Sequence, residues 1–330
     1  MVKRLPISTP PIVSFLHHAY PLSIISAHEE TLPWFYSNYI QLFYYFRDGY
    51  FHMNFFMPWN LFPSILTSNI DNNLFTNVVK RDIAQFLIDC IDNDIYVYVF
   101  IDEYYVPGRR AFEEYHFKHD NFIFGYNLEK QYFDITGFKN FTYGSSTIGF
   151  NQLERAFSSP GKPDELTLYQ YRNTTFEFDK ELVAEYIHDY LYAENTFKRL
   201  RMIYSPLVYG HLSWGLRVYD GMSQYIEILM RKESKINYIP FHVLYEHKKC
   251  MRMRVEYMIK NDYLTNLDEL LDFYLSFEKE TLILRNLVLK SILDGTETTH
   301  KKIKERYLLL LKNMVPQEEA LLKQLLHKLT

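Results

Sequence analysis

Three histidines are the main candidates for catalytic residues in this sequence. His119 stands at the start of an apolar run, and His17 and His18 form a pair near the beginning of the chain. An imidazole can act as a general base near neutral pH, so we predict that His119, His18 and His17 are catalytic. Two other interpretations remain open, because His119 could hydrogen-bond at a strand edge and the pair could cap or pack a helix.

Polar and aromatic residues upstream of His119 complete this candidate site. Asp102, Tyr104 and Tyr105 follow an apolar run directly, and Arg109 comes next in a Pro-Gly loop. A guanidinium can hold a carboxylate or a phosphate through two parallel hydrogen bonds. We predict that these four residues bind substrate, with simple surface solvation as the alternative for Arg109.

The sequence predicts neither a metal site nor a cofactor. The histidines of the candidate site and nearby His116 lack the His-x₃-His spacing of a helical metal site. No phosphate loop, Gly-x-Gly-x-x-Gly or Gly-x-Ser-x-Gly motif is present. The two cysteines, Cys90 and Cys250, exclude a disulfide scaffold and a cysteine-based zinc site.

Strands and short helices must position these residues in the first half of the chain. Runs of β-branched and aromatic residues predict strands at 95–101, 121–126 and 131–135. A polar turn joins the last two strands, which predicts an antiparallel hairpin. Helical spacing of apolar residues predicts helices at 81–90 and 151–157.

The second half has helical spacing almost throughout. The predicted helices are 180–194, 213–231, 241–260, 267–293 and 300–327. The segment 158–164 is the best linker, because its Pro and Gly residues disfavour regular structure. We therefore predict an α+β chain with a first domain over residues 1–160 and an antiparallel helical bundle over residues 161–330.

Composition limits the class of protein. The 330 residues are 48% hydrophobic and 18% aromatic, which is enough to bury a substantial core. The net charge of −4 argues against a general nucleic-acid binder. Apolar runs fall far short of the roughly 20 residues that a membrane span needs, and no signal peptide is evident. We expect a soluble, cytoplasmic protein with no nucleic-acid or membrane partner.

Several short motifs together resemble a known family. The segment Phe15–Ile24 (FLHHAYPLSI), the strand end Asp102–Tyr105 (DEYY), His119 and the dipeptide Gly125-Tyr126 resemble the C39-peptidase-like papain fold. More specifically, they resemble the amino-terminal domain of the butirosin-biosynthesis acyltransferase family. In the helical half, the segments EHKK at 246–249 and LRN at 284–286 add to this resemblance.

The resemblance implies acyl transfer in nonribosomal-peptide or related secondary-metabolite biosynthesis. In that family, an acyl group passes from a carrier-protein thioester through a cysteine to an amine acceptor. The cysteine would stand just before the histidine pair, where this sequence has Leu16. The residue that orients the catalytic imidazole would stand where this sequence has Thr136 and Gly137, and Asp134 comes two or three residues early.

Loss of the expected nucleophile leaves two hypotheses. In the first, the protein is an acyltransferase or amide-forming enzyme with His119 as base, which transfers directly from the carrier protein to a small-molecule amine. Such a reaction needs only a base, an oxyanion donor and positioning. In the second, the protein is a catalytically inactive relative that binds a carrier protein or an assembly-line product. A peptidase is the weakest hypothesis, because Ser14 is offset by two residues from the nucleophile position.

A basic stretch in the predicted helix 241–260 has two interpretations. Lys248, Lys249, Arg252 and Arg254 could dock the acidic helices of a carrier protein. An ordinary solvated helix face is the simpler interpretation of the same residues.

Overall fold

The chain consists of two structural units, one built on a sheet and one mostly helical. The computed structural model describes residues 1–47, 50–58, 62–139, 142–161, 165–203, 205, 210–294 and 297–330. With 52% helix and 21% strand, the predicted α+β class is confirmed. The sheet unit comprises residues 1–32 and 59–175, and the helical unit comprises residues 33–58 and 176–330.

Strands and helices are numbered in chain order. The strands are β1 (Val2–Arg4), β2 (Leu42–Arg47), β3 (Tyr50–Phe55), β4 (Ile65–Asp71), β5 (Ile95–Asp102), β6 (Lys118–Asn127), β7 (Tyr132–Lys139), β8 (Thr142–Gly149), β9 (Glu165–Tyr171) and β10 (Ser213–Trp214). The α-helices are α1 (Leu16–Ile25), α2 (Leu32–Ser37), α3 (Asn72–Leu74), α4 (Ile83–Asp92), α5 (Phe150–Ser158), α6 (Lys180–Leu191), α7 (Val218–Met230), α8 (Ile239–Lys260), α9 (Asp268–Asp294), α10 (Glu297–Asn313) and α11 (Val315–Leu329). Within the described ranges, none of these helices is both long and apolar enough to cross a membrane.

Seven antiparallel strands form the sheet of the first unit. Their order is β4-β9-β5-β6-β7-β8, with β1 beside β6. The predicted hairpin of β6 and β7 is confirmed, because the two strands pair antiparallel. Strand β5 pairs with β6 up to Asp102 opposite Lys118. This register places the end of β5 beside the start of β6, where the candidate site residues lie.

Aromatic side chains pack α1 against this sheet. The fully buried Tyr20 stacks on Phe122 with ring centroids 4.9 Å apart, and its ring meets Tyr98 edge-on at 5.4 Å. The Tyr20 hydroxyl donates to the carbonyl oxygen of Asp120 at 3.0 Å. Because each aromatic ring buries about 150–250 Å², these contacts fix α1 beside the strands that carry the site.

The division between the units differs from the boundary predicted at residue 160. Residues 165–171 form β9, which lies between β4 and β5 and therefore belongs to the sheet unit. Residues 33–58 belong to the helical unit, where β2 and β3 form a small sheet with β10. Of the predicted linker, residues 159–161 lie outside helices and strands, and residues 162–164 lie outside the described residues.

Two predicted helices have different limits in the structure. In place of one helix over 213–231, the chain forms β10, a turn through Gly215, and then α7. Gly215 has a φ of 53°, and a Cβ there would lie 2.0 Å from the carbonyl oxygen of Tyr190, so no other residue fits. The predicted helix 300–327 is divided into α10 and α11, because Pro316 at the start of α11 lacks the N–H that would continue α10.

A fully buried ion pair stabilises the helical unit. Lys248 Nζ donates to Glu318 Oε1 at 2.6 Å, and both side chains are entirely inaccessible to solvent. The hydroxyls of Tyr219 and Tyr274 donate to the same carboxylate at 2.9 and 3.1 Å. Burial lowers the pKa of Lys248 more than the charge of Glu318 raises it. The Tyr190 hydroxyl donates to the Glu318 carboxylate at 3.5 Å, so this carboxylate is compensated by one cation and three hydroxyls, as a buried charge requires.

The structure corrects both interpretations for two of the four residues in the basic stretch of α8. Lys248 and Arg254 are buried, so neither belongs to a solvated face or to a docking surface. The Arg254 guanidinium donates to the carbonyl oxygens of Tyr36 and Asn38. The physical reason is that more than half of the residues of α8 are buried, and Lys248 and Arg254 are among them.

Replacing Lys248 with an apolar residue tests the importance of this pair. We expect Lys248→Met to lower the free energy of unfolding by about 3–5 kcal/mol, because the Glu318 carboxylate then stays buried without its cation. The double variant Lys248→Met/Glu318→Leu should recover part of that loss. Urea denaturation measures both, and Lys323→Met, which removes an exposed pair with Glu319, serves as the control. Losses of equal size in Lys248→Met and the control would contradict the prediction.

Candidate functional site

The Asp102 carboxylate at the end of β5 organises the candidate site. Its Oδ1 accepts hydrogen bonds from the backbone N–H groups of Tyr104 at 3.1 Å and Phe117 at 3.0 Å. Its Oδ2 accepts from Ser159 Oγ at 2.5 Å and is 2.6 Å from His116 Nδ1. Four donors from three chain segments therefore meet on one buried side chain.

These hydrogen bonds determine how His116 is protonated. Burial raises the pKa of Asp102, but the hydrogen bonds from Ser159, from His116 and from the backbone outweigh burial, so the pKa lies below its ordinary value. Because Asp102 is a carboxylate, it can only accept, and His116 Nδ1 must carry the proton. The imidazole stacks on Tyr104 with ring centroids 4.5 Å apart. In the neutral imidazole, Nε2 is then the nitrogen without a proton, and the two side chains form an Asp–His dyad.

A cavity of about 360 Å³ adjoins this dyad. Both dyad residues and two phenylalanines line this cavity. The full lining consists of Phe100, Asp102, His116, Phe117, Lys118, Pro160 and Gly161. The His116 side chain is 64% exposed, so a bound molecule can reach it. The arrangement can therefore remove a proton from a ligand held beside His116.

His119 lies in a second polar cluster, apart from that lining. Its Nδ1 is 3.6 Å from Glu103 Oε1 and 3.6 Å from Asp120 Oδ1. Burial lowers the pKa of His119, but the two carboxylates outweigh burial and raise the pKa above its ordinary value. The two carboxylates therefore favour the protonated form of His119, which can donate hydrogen bonds from both ring nitrogens.

Arg109, predicted to bind substrate, instead has partners within the protein. Its guanidinium donates to the carbonyl oxygen of Phe138 at 2.5 Å and to Asn121 Oδ1 at 2.7 Å, and its side chain is 1% exposed. A Cβ on Gly137 would lie 2.6 Å from Arg109 Nη2, so the glycine gives the guanidinium its space. Arg109 Nε lies 3.6 Å from Glu103 Oε1 and has no hydrogen-bond partner within the described residues.

The remaining predicted residues lie in α1 and in the loop after β5. His17 and His18 occupy the first turn of α1 with ring centroids 4.2 Å apart, and His18 is buried. The Arg155 guanidinium lies over the Tyr105 ring, 4.8 Å from its centroid. Of the predicted residues, the structure therefore brings Asp102 and Tyr104 together around His116, and joins Arg109 to His119 through Glu103.

The sequence did not identify His116 or Ser159 as partners of Asp102. Asp102 at the end of β5 pairs with Lys118 at the start of β6, and His116 precedes Lys118 by two residues. That short distance along the chain was the signal that could have identified His116. No comparable local signal exists for Ser159, which lies 57 residues from Asp102. Asp134 does not orient an imidazole, because Arg4 holds both of its oxygens at 2.8 and 2.9 Å.

Neither cysteine has the environment of a nucleophile. Cys90 and Cys250 are both buried, and burial raises the pKa of each thiol to about 12. The thiolate, which is the nucleophilic form, is therefore scarce at neutral pH. Within the described residues, no group of three or more His, Cys, Asp or Glu side chains could hold a metal ion.

Alkylation tests the state of the two thiols. We expect iodoacetamide at pH 8 to leave both cysteines of the native protein unmodified, because a pKa of about 12 leaves roughly one thiol in 10⁴ ionised. Both should react in denaturant, and intact mass spectrometry counts the added groups. Rapid modification of either cysteine in the native protein would contradict this.

Replacing the Glu103 carboxylate with an uncharged amide of the same shape tests why the pKa of His119 is raised. In Glu103→Gln we expect the pKa of His119 to fall, because burial then opposes protonation with one carboxylate fewer. An NMR titration of the imidazole measures this shift, with the exposed Glu114→Gln as control. A raised pKa stabilises the fold below about pH 6.5 and ceases to do so as pH rises through the folded-state value. Glu103→Gln should therefore be more destabilising at pH 5.5 than at pH 8.

Comparison with known proteins assigns neither a family nor a function to this chain. No protein-family model matches the chain, and no curated protein matches it.

Proposed function

We propose that the protein transfers an acyl group from a carrier-protein thioester to a small-molecule amine in secondary-metabolite biosynthesis, without a cysteine nucleophile. The observation that carries this proposal is the Asp102–His116 dyad, both of whose residues line a cavity. The dyad supplies a general base, and direct transfer requires no enzyme nucleophile. The buried thiols of Cys90 and Cys250 support the same conclusion.

A papain-like, C39-peptidase-like architecture for the sheet unit is part of this proposal. The order of α1, α4, β5, β6, β7, β8 and α5 supports it, since this is the order that the resemblance implies. Leu16 begins α1 at the expected nucleophile position and is buried. A reaction in such a site would have to dispense with the acyl-enzyme intermediate.

The proposed reaction has one bond-forming and one bond-breaking step. The amine nitrogen attacks the thioester carbonyl carbon while His116 Nε2 takes a proton from the nitrogen. The tetrahedral intermediate then collapses, the C–S bond breaks, and the imidazolium returns the proton to the departing sulfur. The products are an amide and the free thiol of the carrier. Asp102 stabilises the imidazolium throughout, as an acidic partner does in a catalytic triad.

General principles indicate that such a site can be effective. A positioned general base contributes about 10²–10⁴ in rate. Holding amine and thioester together contributes more, since effective molarities reach about 10⁵–10⁸ M in well-oriented reactions. His119, with its raised pKa, is a second imidazole of the same unit but lies outside the lining of the dyad cavity.

Two observations favour a second candidate function. The start of α1 presents the buried apolar Leu16 where the resemblance implies a cysteine, and Arg109 is occupied by protein acceptors. Both features suit a catalytically inactive protein that binds a carrier protein or an assembly-line product.

The two functions are separated by incubating the protein with acyl-loaded carrier protein and a panel of primary amines. We expect amide formation, followed by intact mass spectrometry, to fall by about 10²–10⁴ in His116→Ala, because the base is lost. Asp102→Asn should also lower the rate, because the asparagine amide can donate a hydrogen bond and so favour the wrong tautomer of His116. The control is His188→Ala, which removes an exposed histidine 3.8 Å from Asp189 in the other unit.

Three outcomes would contradict the proposal. Loss of turnover in His119→Ala with full turnover in His116→Ala would move the base to His119. Carrier binding without turnover in the unmodified protein would favour the binding function. A stable acyl adduct on any side chain would show that a protein nucleophile operates.

A further inference from the structure

The cavity beside the Asp102–His116 dyad, here called the dyad cavity, also contains a lysine. Lys118 lies in its lining together with both dyad residues. Strand pairing places Lys118, at the start of β6, directly opposite Asp102 at the end of β5. Because residues directly opposite each other on paired strands lie on the same face of a sheet, the lysine and the dyad belong to one surface of the sheet unit.

Lys118 does not form an ion pair with the carboxylate opposite it. Within the described residues, no carboxylate oxygen lies within 4.0 Å of Lys118 Nζ, and the Asp102 oxygens have other partners. The lysine side chain instead passes Gly161, where an added Cβ would lie 3.0 Å from Cδ and 3.6 Å from Nζ. Gly161 also lines the dyad cavity, so this close packing holds the ammonium group at the cavity.

The lining of the dyad cavity carries no net charge when His116 is neutral, because it holds one carboxylate, Asp102, and one ammonium group, Lys118. The Asp102 side chain is only 1% exposed, so it acts on a ligand through the imidazole. The lining therefore offers one hydrogen-bond acceptor, the His116 nitrogen that Asp102 does not bind, and one cation. A ligand that is neutral overall but carries both an ammonium group and a carboxylate is complementary to this pair.

Apolar residues complete the lining of the dyad cavity. Phe100 precedes Asp102 by two residues on β5, so both side chains lie on the same face of the sheet. Phe117 and Pro160 line the cavity as well. Pockets for small molecules typically combine apolar walls with a few polar groups in about 300–1,000 Å³, and this cavity measures about 360 Å³. It therefore suits a small ligand with an apolar part.

We propose that the dyad cavity binds an apolar α-amino acid, with its amino group at His116 Nε2 and its carboxylate at Lys118 Nζ. The proposal rests on the acyl-transfer function above and identifies the acceptor amine as an amino acid. An α-amino acid carries its amino group, carboxylate and side chain on one carbon, so the three groups can contact different walls of one small cavity. The ammonium group loses one proton to solvent before the reaction above, which starts from the neutral amine.

Direct binding tests this assignment without any need for turnover. Isothermal titration calorimetry compares L-phenylalanine with 2-phenylethylamine, which lacks the carboxylate, and with 3-phenylpropionate, which lacks the amino group. We expect L-phenylalanine to bind about tenfold more tightly than either analogue, because each analogue loses one charge-assisted hydrogen bond.

Variants assign each part of this advantage to one residue. In Lys118→Met, L-phenylalanine should lose its advantage over 2-phenylethylamine and keep its advantage over 3-phenylpropionate. In His116→Ala, we expect the reverse. The control Lys130→Met removes an exposed lysine of the β6–β7 turn and should change neither comparison. Thermal unfolding establishes that each variant is folded, and Lys118→Gln replaces Lys118→Met if the latter does not fold.

The outcomes separate this inference from the proposed function. Equal affinities for L-phenylalanine and 2-phenylethylamine, or an advantage that persists in Lys118→Met, would overturn the amino-acid site even if amides form with other amines. Absence of measurable binding of both L-phenylalanine and L-leucine would overturn it as well. Binding with the expected pattern in the variants, but without amide formation, would support the site and contradict the catalytic function alone.

Discussion

The need to satisfy a buried carboxylate is the constraint on which the sheet unit depends. Asp102 ends β5, and its four hydrogen bonds connect the start of the following loop, the residue before β6 and the segment after α5. A buried charge without such partners costs several kcal/mol, so these segments cannot separate cheaply. The same hydrogen bonds fix His116, and the fold and the chemistry of the site therefore share one cause.

The helical unit meets the same constraint with different groups. Glu318 is compensated by Lys248 and by tyrosine hydroxyls, and Lys248 also donates to the hydroxyl of Tyr190 at 3.1 Å. Buried ion pairs contribute little net stability compared with apolar packing, but losing one member is costly. In both units, a substitution that removes one polar partner should therefore be far more harmful than one that alters an exposed charge.

The spacing of apolar residues along the chain predicted those helices and strands whose limits depend on neighbouring residues. Strands β5, β6 and β7 and helices α4, α8 and α9 lie close to their predicted limits, because apolar spacing reports which face is buried. The pairing of β9 with β4 and β5 escaped prediction, since it depends on residues about 70 to 100 positions apart. The same limit applies to the site. Asp102 could be predicted from its position at a strand end, whereas Ser159 contacts it only because the tertiary fold brings together residues 57 positions apart.

In the proposed reaction, the chemistry of a thioester explains why one imidazole could suffice without a cysteine. The sulfur of a thioester leaves as a thiolate, the conjugate base of a thiol of pKa about 8.5, whereas a nitrogen that has lost its proton could leave only as a far more basic amide anion. Breakdown of the tetrahedral intermediate towards the amide therefore needs little acid catalysis. The demanding step is removal of that proton, which calls for a base with the right tautomer. Asp102 enforces that tautomer by accepting from His116 Nδ1 at 2.6 Å. The residue that stabilises the sheet unit is thereby also the one that makes the base available.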